Sequence, residues 1–460
     1  MTTQNACSTL ARTLAFRYSI WSTTRPTPMA SMRSLVSADI RDLLASNRAL
    51  KTILLTDFLV VVSELSATVI IPWWITISGG AKAIAVFSVA LAIATFFVAP
   101  AVSPFGDRIC KSRQISWGLA CLCLTTAAQC ALSYAGVFHL GLLFAPALAQ
   151  VFSRSFVGPA RETVLAELTP QAQLPVAIRI RKTTQATGGI LGPVLAGGAV
   201  SWVGITGALS LLCILLLFAM LVATRIPRST PDPRSDKSVG AWWRDLQAGL
   251  AAKWLVPMER GWTIVNFAVW IFQGPAVGLL IPIKVSAMGL QGDWLGACLG
   301  ALSVGVLMGS VFGSQMLVDR FGRYRVRVGL GFLEGAAIVF VGLASSGYVM
   351  IAGLVVTGFC NASMGLVGAT HRALAIPKAY RVRMHAAGSM TTQVAGAIGP
   401  ALVGVALGHM SVTAVYALWG ALMATCVLGF LLVPRLKEFF ALGHDQIADW
   451  YQRQYPTIFR

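Results

Sequence analysis

The chain has 460 residues, 56% of them apolar and 12% charged, with a mean hydropathy of +0.72. A water-soluble domain presents far more charge to solvent, so an ordinary soluble globular protein is excluded. Lys and Arg number 36 against 17 Asp and Glu, a formal +19; nucleic-acid binding would need those bases gathered on a polar module, none is visible, and the surplus reads instead as the basic loops of a multispan membrane protein.

Residues 1–51 carry seven bases and many Ser and Thr, with no acid before Asp39. They read as a cytoplasmic arm. An organellar transit peptide is the other reading of Arg12, Arg17, Arg25 and Arg33 in that setting, and Met29 or Met32 could serve as a start. Twelve apolar stretches follow, each near the roughly 20 residues a helix needs to cross a bilayer. They run 53–76, 83–102, 115–136, 138–159, 184–204, 206–225, 262–285, 293–317, 328–346, 348–369, 391–409 and 411–433. The expected fold is therefore an all-α membrane protein of twelve transmembrane helices in two six-helix bundles. The bundles occupy 52–225 and 262–433, joined by a linker over 226–261 and followed by a tail over 434–460. Barrel strands would alternate, and these runs do not.

Orientation comes from the connections. Of the 36 bases, 34 fall in the arm, the 2/3, 4/5, 6/7, 8/9 and 10/11 connections or the tail, leaving Lys82 and Lys284 opposite. Both termini are thus expected in the cytoplasm of an inner-membrane protein. In the linker, Trp242, Leu246, Leu250 and Trp254 repeat at spacing four, which predicts an amphipathic helix at the membrane surface. The nine cysteines lie mostly inside apolar runs without Cys-x-x-Cys spacing, and read as small buried apolar residues.

The two halves repeat one another. Pro72 and Pro282 are 210 apart, Asp107 and Asp319 212, and Thr183 and Thr391, each opening a TTQ, 208. A duplicated six-helix unit implies two bundles related by an axis along the membrane normal, with a cavity between them.

These residues resemble the major facilitator superfamily from about residue 50 to 435. Asp107, Arg108 and Lys111 match its Gly-x-x-x-Asp-Arg-x-Gly-Arg-Lys signature in the first half, and Asp319, Arg320, Gly322 and Arg323 in the second. Ser103, Gln315 and Cys110 depart from it. Gly188, Gly192, Pro193 and Gly197 resemble the Gly-x-x-x-Gly-Pro-x-x-Gly-Gly signature of its exporters. SEL at 63–65, PARETVLAEL at 159–168 and WWRDLQAGL at 242–250 are similar to the branch holding the enterobactin exporter and macrolide efflux proteins. The resemblance implies a gating role for the two Asp-Arg loops and a bend at Gly192–Pro193 and Gly399–Pro400. Positive-inside topology alone, and generic tight packing, are the other readings of these residues.

Ionisable residues inside a bilayer are costly and rare. Asp57, Glu64, Arg154 and Glu334 are the candidates. By helical rise, Asp57 lies about 6 Å, Arg154 about 8 Å and Glu64 about 16 Å from the cytoplasmic end, close enough for Arg154 to reach the acids. The expected coupling site is Glu64 taking up and releasing a proton, tuned by Arg154, with Asp57 beside them; a structural buried pair is the alternative. The superfamily resemblance places helices 1, 4, 7 and 10 on the cavity, so Gln150, Asn266, Gln273 and Asn361 are candidates to hydrogen-bond substrate. No metal-ligand spacing and no phosphate-binding loop appear, and no cofactor is expected. The reading is proton-coupled export of an amphiphilic small molecule, siderophore or macrolide-like, by a monomer in a lipid bilayer with no nucleic-acid partner. An importer or lysophospholipid flippase of the same fold, and a nontransporting receptor or intramembrane enzyme, are the alternatives.

Overall fold

The computed structural model describes residues 47–106, 109–169, 174–227, 239–447 and 449–459. Among these the regular structure is entirely helical. Helix α1 spans Arg48–Gly106, α2 Lys111–Tyr134, α3 Leu140–Leu168 and α4 Leu174–Ala223. After the linker come α5 (Val239–Leu255), α6 (Pro257–Val277), α7 (Leu280–Ala287) and α8 (Gly292–Met308). The second half continues with α9 (Ser314–Phe321), α10 (Arg323–Leu343), α11 (Gly347–Ala375), α12 (Lys378–Ala406) and α13 (Val412–Leu428). Short helices α14 (Leu436–Ala441), α15 (His444–Ile447) and α16 (Trp450–Gln454) complete the tail.

Among the described residues, nine helical stretches are long and apolar enough to cross a membrane. Two of them, Arg48–Val98 and Ile180–Ala223, run for 51 and 44 residues, about twice the length that one crossing needs. Each is interrupted by a glycine in a conformation that side chains with a Cβ avoid: Gly80 at φ 74° and ψ −177°, and Gly204 at φ 70° and ψ −176°. Each long stretch is therefore two helices joined across a kink at that glycine. Large apolar side chains point outward along the apolar helices, including Leu124 of α2 at 71% exposure and Trp202 of α4 at 89%. Such a surface suits hydrocarbon and not water.

In the first half α2 packs on α3 and α4, and the Ser66 hydroxyl of α1 donates to the Gly192 carbonyl of α4 at 2.9 Å. In the second, α10 packs on α11 and α13, and α12 on α5 and α6. The halves meet where α4 crosses α8. A methyl group added at Gly197 would lie 2.5 Å from the Gly296 Cα, so the two backbones touch. This contact sits about two turns before the Gly204 kink of α4, and Val200 beside Gly292 about one turn before it. Gly197→Ala is expected to destabilise the purified protein by about 1–3 kcal/mol through overpacking. Gly198→Ala, with nothing within 4 Å of the new methyl, should be neutral or gain up to about 1 kcal/mol of helix propensity. Melting temperatures in detergent would separate the two.

The linker helix α5 forms over the expected residues, and the described part of its apolar stripe is turned outward, with Leu250 at 40% and Trp254 at 61% exposure. Its opposite face packs on α12, where the Gly249 backbone lies against the Arg383 carbonyl.

Candidate functional site

The first half gathers its charges between α1, α3 and α4. Asp57 is 2% exposed. Arg161 Nε donates to its Oδ1 at 2.7 Å, and Arg181 Nε donates to its Oδ2. Arg161 Nη1 reaches Glu64 Oε2 at 3.4 Å. Two acids and two bases thus balance, with Asp57 doubly held and Glu64 on the more exposed margin. The base expected to meet these acids was Arg154, and the structure puts Arg161 there instead. Helix α3 continues to Leu168, two turns past the end of its apolar run, which carries Arg161 inward from the connection to which topology alone assigned it. Arg154 lines a small cavity of about 10 Å³ together with Glu64 and Gln150, and its Nε has no partner. Gln150 Nε2 donates to Gln129 Oε1 at 2.9 Å and to Thr126 Oγ1 at 3.4 Å.

The second half carries two clusters. Glu259, fully buried at the start of α6, accepts from Arg372 Nε and Nη2 at 2.7 and 2.6 Å, from Lys253 Nζ at 3.2 Å and from the Tyr451 hydroxyl at 2.6 Å. One carboxylate therefore ties the linker helix, α6, α11 and the tail together. Burial holds the Lys253 ammonium below its ordinary range, with the Glu259 charge opposing that shift. Arg161 and Arg372 are 211 residues apart, inside the repeat offset, so the same arginine position grips an acid of the first helix in each half.

Glu334 on α10 is also fully buried. Its Oε1 accepts from Gln273 Nε2 at 2.6 Å and Asn361 Nδ2 at 3.2 Å, while Oε2 has no partner. Two predicted cavity residues are thus drawn to Glu334, the candidate acid of the second half. Asn266, Gln273 and Asn361 all line one cavity of about 800 Å³, a size that holds a drug-sized molecule. Lys253, Arg327 and Arg372 line it too.

Of the residues expected to gate the two halves, Asp107 and Arg108 lie outside the described residues. Lys111 opens α2; Asp319 and Arg320 end α9, Gly322 makes the turn at φ 76°, and Arg323 opens α10. Arg320 sits over the Phe321 ring at 5.6 Å, and Arg323 Nη1 donates to the Leu442 carbonyl at 3.2 Å. The Gly-Pro pairs behave alike in both halves: a methyl at Gly192 would meet the Val62 carbonyl at 2.8 Å, and one at Gly399 the Ile271 carbonyl at 2.5 Å. Pro193 and Pro400 are buried beside them, each inside its helix. Each pair lets two helix backbones touch.

The family model described as Major Facilitator Superfamily matches residues 53–316 and 277–439. No curated protein sequence matches the chain. Among solved structures, the chain is similar to a peptide transporter, POT, in complex with alafosfalin (TM-score 0.66, 13% identity, 86% of this chain and 96% of that one). It is similar to the nucleoside transporter NupG (TM-score 0.66, 14% identity, 84% and 100%). A bacterial homologue of the iron transporter ferroportin in an inward-facing state gives 0.63 at 16% identity, over 86% and 99%. At these identities the likeness is one of fold.

Proposed function

The chain belongs to the major facilitator superfamily, a multi-pass membrane transporter family, and from that premise we propose that it is a secondary active transporter exporting an amphiphilic small molecule in exchange for protons. The observation that carries this reading is the buried Asp57–Arg161–Arg181 cluster with Glu64 at its margin. Charges inside a bilayer are retained when they do work. Protonating Glu64 removes one of the two acids held by Arg161, which loosens α1 from α3 and so couples proton uptake to movement of the first half.

Breaking α1 at Gly80 and α4 at Gly204, and adding α12, turns the nine stretches into twelve crossings, six on each side of the linker. With the linker end cytoplasmic in an inner membrane, the arrangement is inward-facing: the halves touch near Gly197 and Gly296 at the far end, while Arg372 and His385 mark the cytoplasmic mouth of the cavity. The Asp-Arg loops would then latch that mouth in the opposite state. A partly apolar wall with Trp262, Phe267 and Trp270 supports a large amphiphile, siderophore or macrolide-like, over a small sugar phosphate. An importer or lysophospholipid flippase uses the same architecture.

Glu64→Gln is expected to abolish transport driven by an imposed pH gradient in inverted vesicles, while exchange of substrate across equilibrated membranes persists. Full gradient-driven transport in the variant would overturn the coupling role. Intracellular accumulation of the compound in a deletion strain separates export from import.

A further inference from the structure

Arg327 was counted with the bases of the 8/9 connection, but it lies on α10 at 4% exposure and lines the 800 Å³ cavity. A guanidinium has five donors. Nη1 donates to the Met364 carbonyl at 3.0 Å and Nη2 to Asn266 Oδ1 at 2.7 Å, while Nε has no partner. The rings of Trp262 and Phe430 have their centroids 4.7 and 4.8 Å from the guanidinium carbon and 5.1 Å from each other, so both crowd it from one side. These contacts orient the group without neutralising it. The other bases of the wall are spent, since Lys253 and Arg372 both bind Glu259. Among the described residues no carboxylate forms an ion pair with Arg327. Glu334 stands two turns further along the same helix, about 10 Å by helical rise, and its bound oxygen is engaged by Gln273 and Asn361. A buried, rigidly held guanidinium with no carboxylate in contact, in the wall of a cavity, is built to receive an anion.

We propose that Arg327 is an anion subsite of this cavity, taking the carboxylate or sulfonate of an amphiphile whose apolar body lies against Phe267 and Trp270. The proposal rests on the reading of the cavity as the place where the transported molecule binds, and it narrows that molecule to an organic anion. Arg327 fixes which end of it enters first. The donors left to an incoming oxygen are the second N–H of each terminal nitrogen, since the Met364 carbonyl and Asn266 take one apiece.

The test uses the full chain in phosphatidylcholine nanodiscs with two probes of equal shape, dansylglycine and its neutral amide dansylglycinamide. The carboxylate should bind at least about tenfold more tightly, the scale of one charge-assisted hydrogen bond. Arg327→Gln should erase the difference while leaving the amide's affinity. Asn266→Asp, which neutralises the guanidinium in place and keeps its ring stacking, should erase it as well, so a folding defect in the first variant does not decide the outcome. Equal affinity of the two probes in the wild type, or a preference that survives both variants, would overturn the proposal. So would loss of dansylglycine binding when phosphatidylglycerol replaces phosphatidylcholine, which would make the site one for a lipid headgroup. Proteoliposome uptake separates the two readings: dansylglycine bound but never moved sinks transport and leaves the anion subsite standing. Both probes moved equally sinks the subsite and leaves transport standing.

Discussion

Asp57→Asn is expected to be among the most destabilising single substitutions in the chain, costing about 3–5 kcal/mol, the scale of leaving a buried charge without its partner. The carboxylate is the acceptor for two arginines that are themselves 8% and 4% exposed. Asn offers one acceptor in place of two and no charge, so Arg161 falls back on the longer contact with Glu64 and Arg181 loses its carboxylate. Replacing all three residues together by Leu, Met and Met should cost less than the single change, because it removes the buried charges instead of orphaning them. Melting temperatures of the purified variants in one detergent check both statements. A single variant as stable as the wild type would mean that water, and not Asp57, satisfies these arginines.

Glu259→Gln is expected to cost a similar amount, about 3–5 kcal/mol, and to loosen four segments at once. Arg372 loses both ends of a bidentate contact, and Lys253 and the Tyr451 hydroxyl lose their shared acceptor. The tail should become more protease-sensitive, since Tyr451 is one of its polar anchors, beside the Leu442 and Phe439 carbonyls bonded to Arg323 and His371. The pH dependence has a definite sign. Lys253 is already depressed from its ordinary 10.5 by burial, and the Glu259 charge is the main influence holding it up. Without that charge its pKa falls further, so over the window between the folded value and 10.5 the unfolded chain binds more protons than the folded one. Stability of the variant then rises with pH, beginning at a lower pH than in the wild type. A denaturation series between pH 7 and 10 would show it, and a flat or falling profile would exclude Lys253 as the responsible group.

Much of the fold was legible because the solvent is hydrocarbon: a run of apolar residues near bilayer length has few structures open to it. The repeat offset near 210 was equally visible, and so were the Gly-Pro pairs that bring helix backbones together. Side-chain partnership was less so. Arg161 and Arg327 looked like loop bases, since positive-inside counting stops where the apolar run stops, whereas α3 and α10 carry their helical geometry past those limits. The repeat held the missing signal, for Arg161 and Arg372 occupy one position in it. The partners of Glu334 were not legible, because Gln273 and Asn361 reach it from helices 61 and 27 residues away in the chain. Residues 434–460 read only as a cytoplasmic tail, and Phe439, Phe440, Trp450, Tyr451 and Phe459 pack there into one aromatic cluster. Their spacing matches no single helix face, and only the short helices α14 to α16 bring them together.

The two charge clusters also differ in when ribosomal synthesis can finish them. Asp57, Arg161 and Arg181 are all present once residue 181 has been added, so the first half can neutralise its buried acid while the rest of the protein is still unmade. Glu259 waits for a hydroxyl 192 positions later. Throughout translation of the second half, its acid is completed by Lys253 and then Arg372 before Tyr451 arrives almost at the end. A nascent chain halted before that residue carries an unfinished polar centre and an unanchored terminus, the exposed features by which membrane quality control recognises a substrate for degradation.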